Sequence, residues 1–254
     1  MGKVLYLLDM DGTLYLGDEL FKYTLSFLKR IKESGGRYVF LTNNSSKGVE
    51  SYIEKMSRFG IDTNYDDYFT SVDAAIALFE NKTYKKIYAL GTRSFVSQLK
   101  KSNMNISEKY SDDIDCLLIG YDTELSYSKL VDASKLLIKG VDYYATNPDW
   151  VCPTEWGCVP DCGSICEMLS HVNGRKPIFI GKPQPEMILL AMKKYGFSKE
   201  ETVVIGDRIY TDVASGINAG VDSYFVLSGE GTLDDIEKYG IKPTAVFNNV
   251  GDIL

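Results

Sequence analysis

Leu5-Tyr6-Leu7-Leu8-Asp9-Met10-Asp11-Gly12-Thr13 is the stretch whose reading decides the fold. A short unbroken apolar run that stops at acids and a glycine reads as a buried strand of a parallel sheet, ending where the polar residues begin. Residues i and i+2 of an extended segment point to one side, so Asp9 and Asp11 are expected to converge at the strand's exit. Two ionised carboxylates about 4 Å apart repel by roughly 4 kcal/mol at an effective dielectric near 20. A fold tolerates that pair when a cation binds, when one acid keeps its proton, or both. Acids and glycine after a strand are also ordinary turn chemistry, so the rest of the chain has to decide.

Outward from that strand, β and α patterns alternate. Strands are expected at 3–8, 38–41, 178–180, 202–205, 223–227 and 245–247, with helices at 24–34, 48–59, 71–79, 185–195 and 212–219. Such alternation with near-continuous apolar strands predicts a parallel sheet covered on both faces. Residues 85–176 carry their own alternation, with strands at 87–90, 115–119 and 143–145 and helices at 94–101, 126–138 and 163–172. Polar, turn-rich flanks at 80–83 and 173–177 mark this stretch as an insertion. The expected fold is α/β: a Rossmann-like three-layer parallel sheet core, made of 1–80 and 177–254, with a smaller α/β domain at 81–176.

Composition excludes several classes. Hydrophobic residues make up 44% and charged residues 25%, as in an ordinary globular protein. Net charge is −7, so no global basic field attracts nucleic acid or an acidic membrane surface. No apolar run approaches the roughly 18 residues of a membrane span, and no secretion leader is legible; a cytoplasmic location is expected. Cys152, Cys158, Cys162 and Cys166 crowd together, but without a C-x-x-C pair they fit reduced, packed thiols better than a zinc site. His171, alone near a helix end, reads as a surface or capping residue. The sequence holds no G-x-x-x-x-G-K-[ST], and its first strand ends in acids where a dinucleotide fold needs glycines.

In open α/β sheets, ligands bind beyond the carboxyl ends of the strands. Four expected strand ends carry chemistry here: Asp9 and Asp11; Thr42-Asn43-Asn44; Gly181-Lys182-Pro183; and Gly206-Asp207 with Asp212 five residues on. Singly, each could be a cap or a turn. Together they supply a hydroxyl and amide, one lysine, and carboxylates from both sides. Those are the parts needed to hold a phosphoryl group beside a hard cation.

With these motifs the chain resembles the haloacid dehalogenase-like (HAD) phosphatase superfamily over essentially its whole length. An insertion of about 90 residues between the second and third motifs is similar to the class IIA cap of its nucleotidase (NagD)/4-nitrophenylphosphatase-like group. The stretches Thr146-Asn147-Pro148-Asp149, Gly181-Lys182-Pro183-Gln184-Pro185 and Gly206-Asp207-Arg208-Ile209-Tyr210-Thr211-Asp212 carry that likeness in detail.

The resemblance implies a Mg2+-dependent phosphatase for small phosphomonoesters (nucleotide, sugar or cofactor phosphates, and 4-nitrophenyl phosphate in vitro). It makes Asp9 the nucleophile that forms an aspartyl-phosphate, and Asp11 the general acid and then base. Magnesium is expected on the Asp9 carboxylate, the Asp11 backbone carbonyl and Asp207, with Asp212 supporting that shell. Thr42, the Asn43 amide and Lys182 are expected to bind the phosphoryl oxygens. In the cap, the 147–160 loop is expected to face the phosphate, with Asn147, Asp149 or an aromatic neighbour touching the leaving group; Trp150 and Trp156 fit packing in the cap core or at an interface equally well. Arg93 and Arg208 could attract a second anion. Family members often pair through their caps, which leaves a homodimer open. A phosphotransferase or mutase on the same core, or a non-catalytic protein that binds a phosphorylated metabolite, are the alternative readings.

Overall fold

The structure, a computed structural model, describes residues 2–80, 82–154 and 156–253. Asn81, where the sequence reading began the insertion, lies outside the described residues, as do the terminal Met1 and Leu254. The chain opens with β1 (Leu5–Leu8), a hairpin of β2 (Tyr15–Leu16) and β3 (Glu19–Leu20), α1 (Thr24–Glu33), β4 (Arg37–Thr42) and α2 (Val49–Arg58). There follow β5 (Tyr68–Thr70), α3 (Ser71–Phe79), β6 (Ile87–Leu90), α4 (Arg93–Lys100), β7 (Ile106–Ser107) and β8 (Cys116–Ile119). Next come α5 (Tyr127–Lys139), β9 (Asp142–Ala145), β10 (Val151–Thr154), β11 (Gly157–Pro160), α6 (Cys162–Asn173) and β12 (Ile178–Phe179). The last stretch holds α7 (Glu186–Tyr195), β13 (Thr202–Gly206), α8 (Ala214–Ala219), β14 (Asp222–Val226), α9 (Leu233–Tyr239) and β15 (Ala245–Phe247). Among the described residues, no helix is long and apolar enough to cross a membrane.

Two compact units emerge, one of 1–42, 49–69 and 182–254, the other of 43–48 and 70–181. The first is built on a six-stranded sheet in the order β15-β14-β13-β1-β4-β5. β1 lies in its middle, parallel to β13 with Leu8 opposite Ile205, and to β4 with Leu8 opposite Phe40. All four β1 residues are buried, which explains its continuous apolar character. One face of the sheet is covered by α1, whose Phe27, Leu28 and Ile31 fall on a single helical stripe and pack in the same cluster as Tyr6, Leu8 and Phe40.

The second unit has a five-stranded sheet, β12-β9-β8-β6-β7, with a core that includes Leu117, Ile119, Leu136, Ile165 and Leu169. Ile178–Phe179, read from the sequence as a strand of the first domain, belongs here instead. It runs parallel to β9, with Ile178 opposite Tyr144 and Phe179 opposite Ala145. Only two residues long, and with Ile178 exposed, this edge strand has no pattern that would reveal its sheet. Residues 70–80 also group with this unit: Thr70 and Asp73 form a capping box at the start of α3, and Phe79 at its end meets the rings of Tyr84 and Tyr144.

The 147–160 loop contains a β-hairpin, β10 antiparallel to β11. Trp150 and Trp156 are exposed on it. All five cysteines are free; Cys116, Cys162 and Cys166 are buried, whereas Cys158 is exposed. His171 sits exposed in the last turn of α6, its Nδ1 beside the Glu167 carbonyl.

Candidate active site

The first unit gathers Asp9, Asp207, Asp212 and Lys182. Asp9 follows the last residue of β1, and its N–H still bonds the Ile205 carbonyl at 2.9 Å, so the neighbouring strand fixes its backbone. Asp207 follows β13 in the same way. Asp212 is brought back by a wide helical turn at Ile209–Val213, a form often found at functional sites. Within it the Arg208 N–H donates to Asp212 Oδ2 at 3.1 Å. Gly206 permits the approach, because a Cβ there would lie 2.3 Å from the Asp212 Cβ.

Lys182 is almost fully buried. Its Nζ donates to Asp9 Oδ1 and to Asp212 Oδ1, each at 2.6 Å. Burial alone would pull the ammonium pKa down, but Asp212 and Asp9 outweigh it and hold the group above its ordinary value. The Asp9 and Asp207 carboxyls feel the opposite imbalance, since burial and the neighbouring acid outweigh the cations near them. Burial, then Asp212, push Asp9 up to about 8 against the pull of Lys182. Burial and Asp212 push Asp207 up to about 6, against the Glu230 N–H.

One oxygen from each of Asp9, Asp207 and Asp212 lies within 4.8 Å of the others. An all-oxygen donor set with surplus negative charge suits a small hard divalent cation. The raised pKa values of Asp9 and Asp207 express the same mismatch in protons, so the residues fit a cation of the magnesium class.

These shifts carry a stability signature. In metal-depleted protein the folded state holds protons on Asp9 and Asp207 to higher pH than the unfolded chain does. The folded state therefore binds more protons between about pH 4 and 8, and stability falls as pH rises through that window. Asp113 and Glu200, exposed, and Asp235, half-buried, are shifted down by hydrogen bonds; they act in the other direction, but only below about pH 4.5. The melting temperature in excess chelator is thus expected to drop between about pH 5.5 and 8. A flat or rising profile would contradict this charge balance.

Asp11 is not a member of the carboxylate cluster. β1 ends at Leu8, and the Met10 carbonyl already accepts turn bonds from the Thr13 and Leu14 N–H groups. The i, i+2 rule of an extended strand therefore does not carry through to Asp11. Its carboxyl is exposed, raised by burial of its surroundings and drawn back by Lys55. Lys55 stands over the Tyr15 ring at 4.1 Å and reaches Asp18 at 3.7 Å, tying α2 to the β2–β3 hairpin.

Thr42 is the final residue of β4 in the first unit. Asn43 begins the second, where its Nδ2 donates to Asp149 Oδ2 at 2.9 Å. Its carbonyl accepts from Ser71 Oγ at 2.7 Å and from Asn147 Nδ2 at 2.9 Å. Asn147 is fully buried, and its Oδ1 accepts from the Asp149 N–H at 3.0 Å. Asn147 and Asp149 thus brace the segment after Thr42, a role that their polarity alone did not reveal. Arg93 lies near Glu124 at 3.6 Å, and Arg208 pairs with Glu230 at 2.9 Å.

Sequence comparison agrees with this geometry. The haloacid dehalogenase-like hydrolase profile matches residues 6–105, and a HAD-hydrolase-like profile matches 179–253. An acid sugar phosphatase of Staphylococcus aureus is 32% identical over 250 residues, covering 98% of this chain and 96% of its own. Among solved structures, a 4-nitrophenylphosphatase from Thermotoga maritima is 40% identical with a TM-score of 0.93, covering 99% of this chain and 96% of its own. NagD from E. coli K-12 is 28% identical with a TM-score of 0.92, covering 100% and 98%. With its carboxylates and lysine assembled at the strand ends and these likenesses running the length of the chain, the protein belongs to the haloacid dehalogenase-like hydrolase family, in the group that holds these phosphatases and NagD.

Proposed function

We propose that the protein is a magnesium-dependent phosphatase of small phosphomonoesters, working through an aspartyl-phosphate on Asp9. The observation that carries this reading is Lys182, a buried cation bonded at 2.6 Å to both Asp9 and Asp212. It offsets charge at the nucleophile without occupying every carboxylate oxygen.

In the first step a carboxylate oxygen of Asp9 attacks phosphorus. The bond from phosphorus to the ester oxygen breaks, and the departing oxygen takes a proton from Asp11. In the second step Asp11, now ionised, takes a proton from water. The water oxygen attacks the same phosphorus, the acyl-phosphate bond breaks, and Asp9 and inorganic phosphate are released. Asp11's exposed position, outside the Lys182 cluster, suits a group that must gain and lose a proton in each cycle. Thr42, the Asn43 amide and Lys182 are assigned to the phosphoryl oxygens.

Asp9, Asp207 and the Asp11 carbonyl would hold magnesium, with Asp212 in support; the ion supplies charge neutralisation at the phosphoryl oxygens. The second unit is the cap of this reading, with substrate choice as its task. Sugar phosphates and 4-nitrophenyl phosphate, the substrates in the names of its relatives, are the first to try. With 4-nitrophenyl phosphate, turnover is expected with Mg2+ and is expected to vanish in excess chelator. Undiminished turnover in chelator would overturn the metal-dependent reading.

A further inference from the structure

A fifth strand end, absent from the four that the sequence marks, closes on the carboxylate cluster. After β14 the chain runs Leu227-Ser228-Gly229-Glu230-Gly231. The Glu230 N–H donates to Asp207 Oδ2 at 2.8 Å, and the Gly231 N–H donates to the Asp207 carbonyl at 3.1 Å. Ser228 Oγ donates to the Gly12 carbonyl at 2.8 Å, which links this loop to the turn that carries Asp9 and Asp11. Thr13 Oγ1, fully buried, reaches the other oxygen of Asp207 at 3.3 Å.

The approach is closer than any side chain would allow. A Cβ on Gly229 would lie 2.0 Å from Asp207 Oδ2 and 2.7 Å from the Gly12 Cα. A Cβ on Gly231 would lie 2.3 Å from the Asp207 carbonyl oxygen, and one on Gly12 would lie 2.3 Å from Asp207 Oδ2. The Glu230 side chain anchors the loop from outside: Oε2 pairs with Arg208 Nε at 2.9 Å, and Oε1 accepts from the Tyr210 hydroxyl at 2.9 Å. Two glycines give the backbone its proximity, and the glutamate holds it down.

We infer that the Ser228–Gly231 loop is a positioning element for Asp207, fixing that carboxylate's rotation and so setting the protein's affinity for its divalent cation. Gly229 and Glu230 are positioning residues that act through Asp207. This inference rests on the reading of Asp207 as a metal ligand. A carboxylate free to rotate loses part of its ligand geometry, and groups that orient metal ligands typically carry about 10- to 100-fold in metal affinity.

The test is a Mg2+ titration by calorimetry on the full chain, repeated with Mn2+ by electron paramagnetic resonance, for wild type, Gly229→Ala, Glu230→Ala and Asp207→Asn. Each variant is also melted in chelator. Gly229→Ala is expected to weaken binding by at least about tenfold, and Glu230→Ala by a smaller factor, about three- to tenfold. If Gly229→Ala does not fold, Glu230→Ala decides alone. Metal affinities equal to wild type in the folded variants, whatever happens to their melting temperatures, would overturn the positioning role while Asp207→Asn still loses the ion. If wild type and Asp207→Asn bind the ion equally, the metal-ligand reading beneath the inference fails instead.

Discussion

Asp9→Asn is expected to abolish turnover of 4-nitrophenyl phosphate, with kcat reduced on the order of 10⁴- to 10⁶-fold, as for removal of a nucleophile elsewhere. The amide keeps an oxygen that can accept from Lys182 Nζ, the bond Asp9 makes at 2.6 Å, so the geometry around it should survive. The same change removes one of the two carboxylates bonded to Lys182, in a cluster of three acids. In chelator at about pH 8, where the Asp9 carboxyl is half ionised against its neighbours, the variant is expected to melt at or above the wild-type temperature. Lost activity with unchanged or raised stability is the mark of a functional group held at a structural cost. A variant that keeps turnover, or that loses activity only because it unfolds, would count against Asp9 as nucleophile.

Lys182→Met has a different expected profile, because it removes the cation and keeps the acids. Removing one partner of a buried ion pair costs about 3–5 kcal/mol, since the remaining charge is left uncompensated in a poorly solvated site. Asp9 and Asp212 would both be left so, with the Lys182 and Asp212 side chains 4% and 2% exposed. Asp9, already raised by burial and by Asp212, can escape by keeping its proton. The loss measured by urea unfolding in chelator should therefore be large at about pH 8 and much smaller at about pH 5.5. Turnover should fall on the order of 10²- to 10³-fold or more, the scale seen when one charge-stabilising donor is removed. A stability loss independent of pH would show that Lys182 acts by packing and not through its charge.

The sequence revealed those features that depend on local pattern. β1 and β13 read correctly because strands buried on both faces of a parallel sheet carry unbroken apolar runs. Asp9, Lys182, Asp207 and Asp212 were legible because each directly follows a strand or lies within a turn or two of one, where polar residues stand out against an apolar run. β12 joins the second sheet and not the first; two residues carry no pattern that announces their sheet. The β10–β11 hairpin has no strand signature in the sequence, because Pro153, Pro160 and two cysteines blur the alternation of its strands. Asp11 stands apart from the carboxylate cluster because the strand stops at Leu8, where the apolar run itself ends, and the turn that follows does not keep the i, i+2 alternation of an extended segment.

Ser228–Gly231 escaped notice for a different reason. Its contribution comes from backbone N–H groups and from the absence of side chains at Gly229 and Gly231. Neither has a chemical signature when the sequence is read for acids, bases and ligands. Its link to Asp207 spans more than twenty residues, and only the parallel pairing of β13 with β14, Gly206 opposite Phe225, brings the two strand ends together.

The central claim is a covalent phosphoryl group on Asp9, and trapping that group tests it most directly. Protein turning over 4-nitrophenyl phosphate with Mg2+ would be quenched in acid and reduced with borohydride, which converts an aspartyl-phosphate to homoserine. Peptide mass spectrometry would then locate the change. Asp11→Asn, lacking the base for the second step, should raise the trapped fraction, because 4-nitrophenolate leaves with little help from an acid. Homoserine at position 9 and at no other aspartate is the predicted result. Turnover without any modified aspartate, or with the modification at Asp11, Asp207 or Asp212, would contradict it.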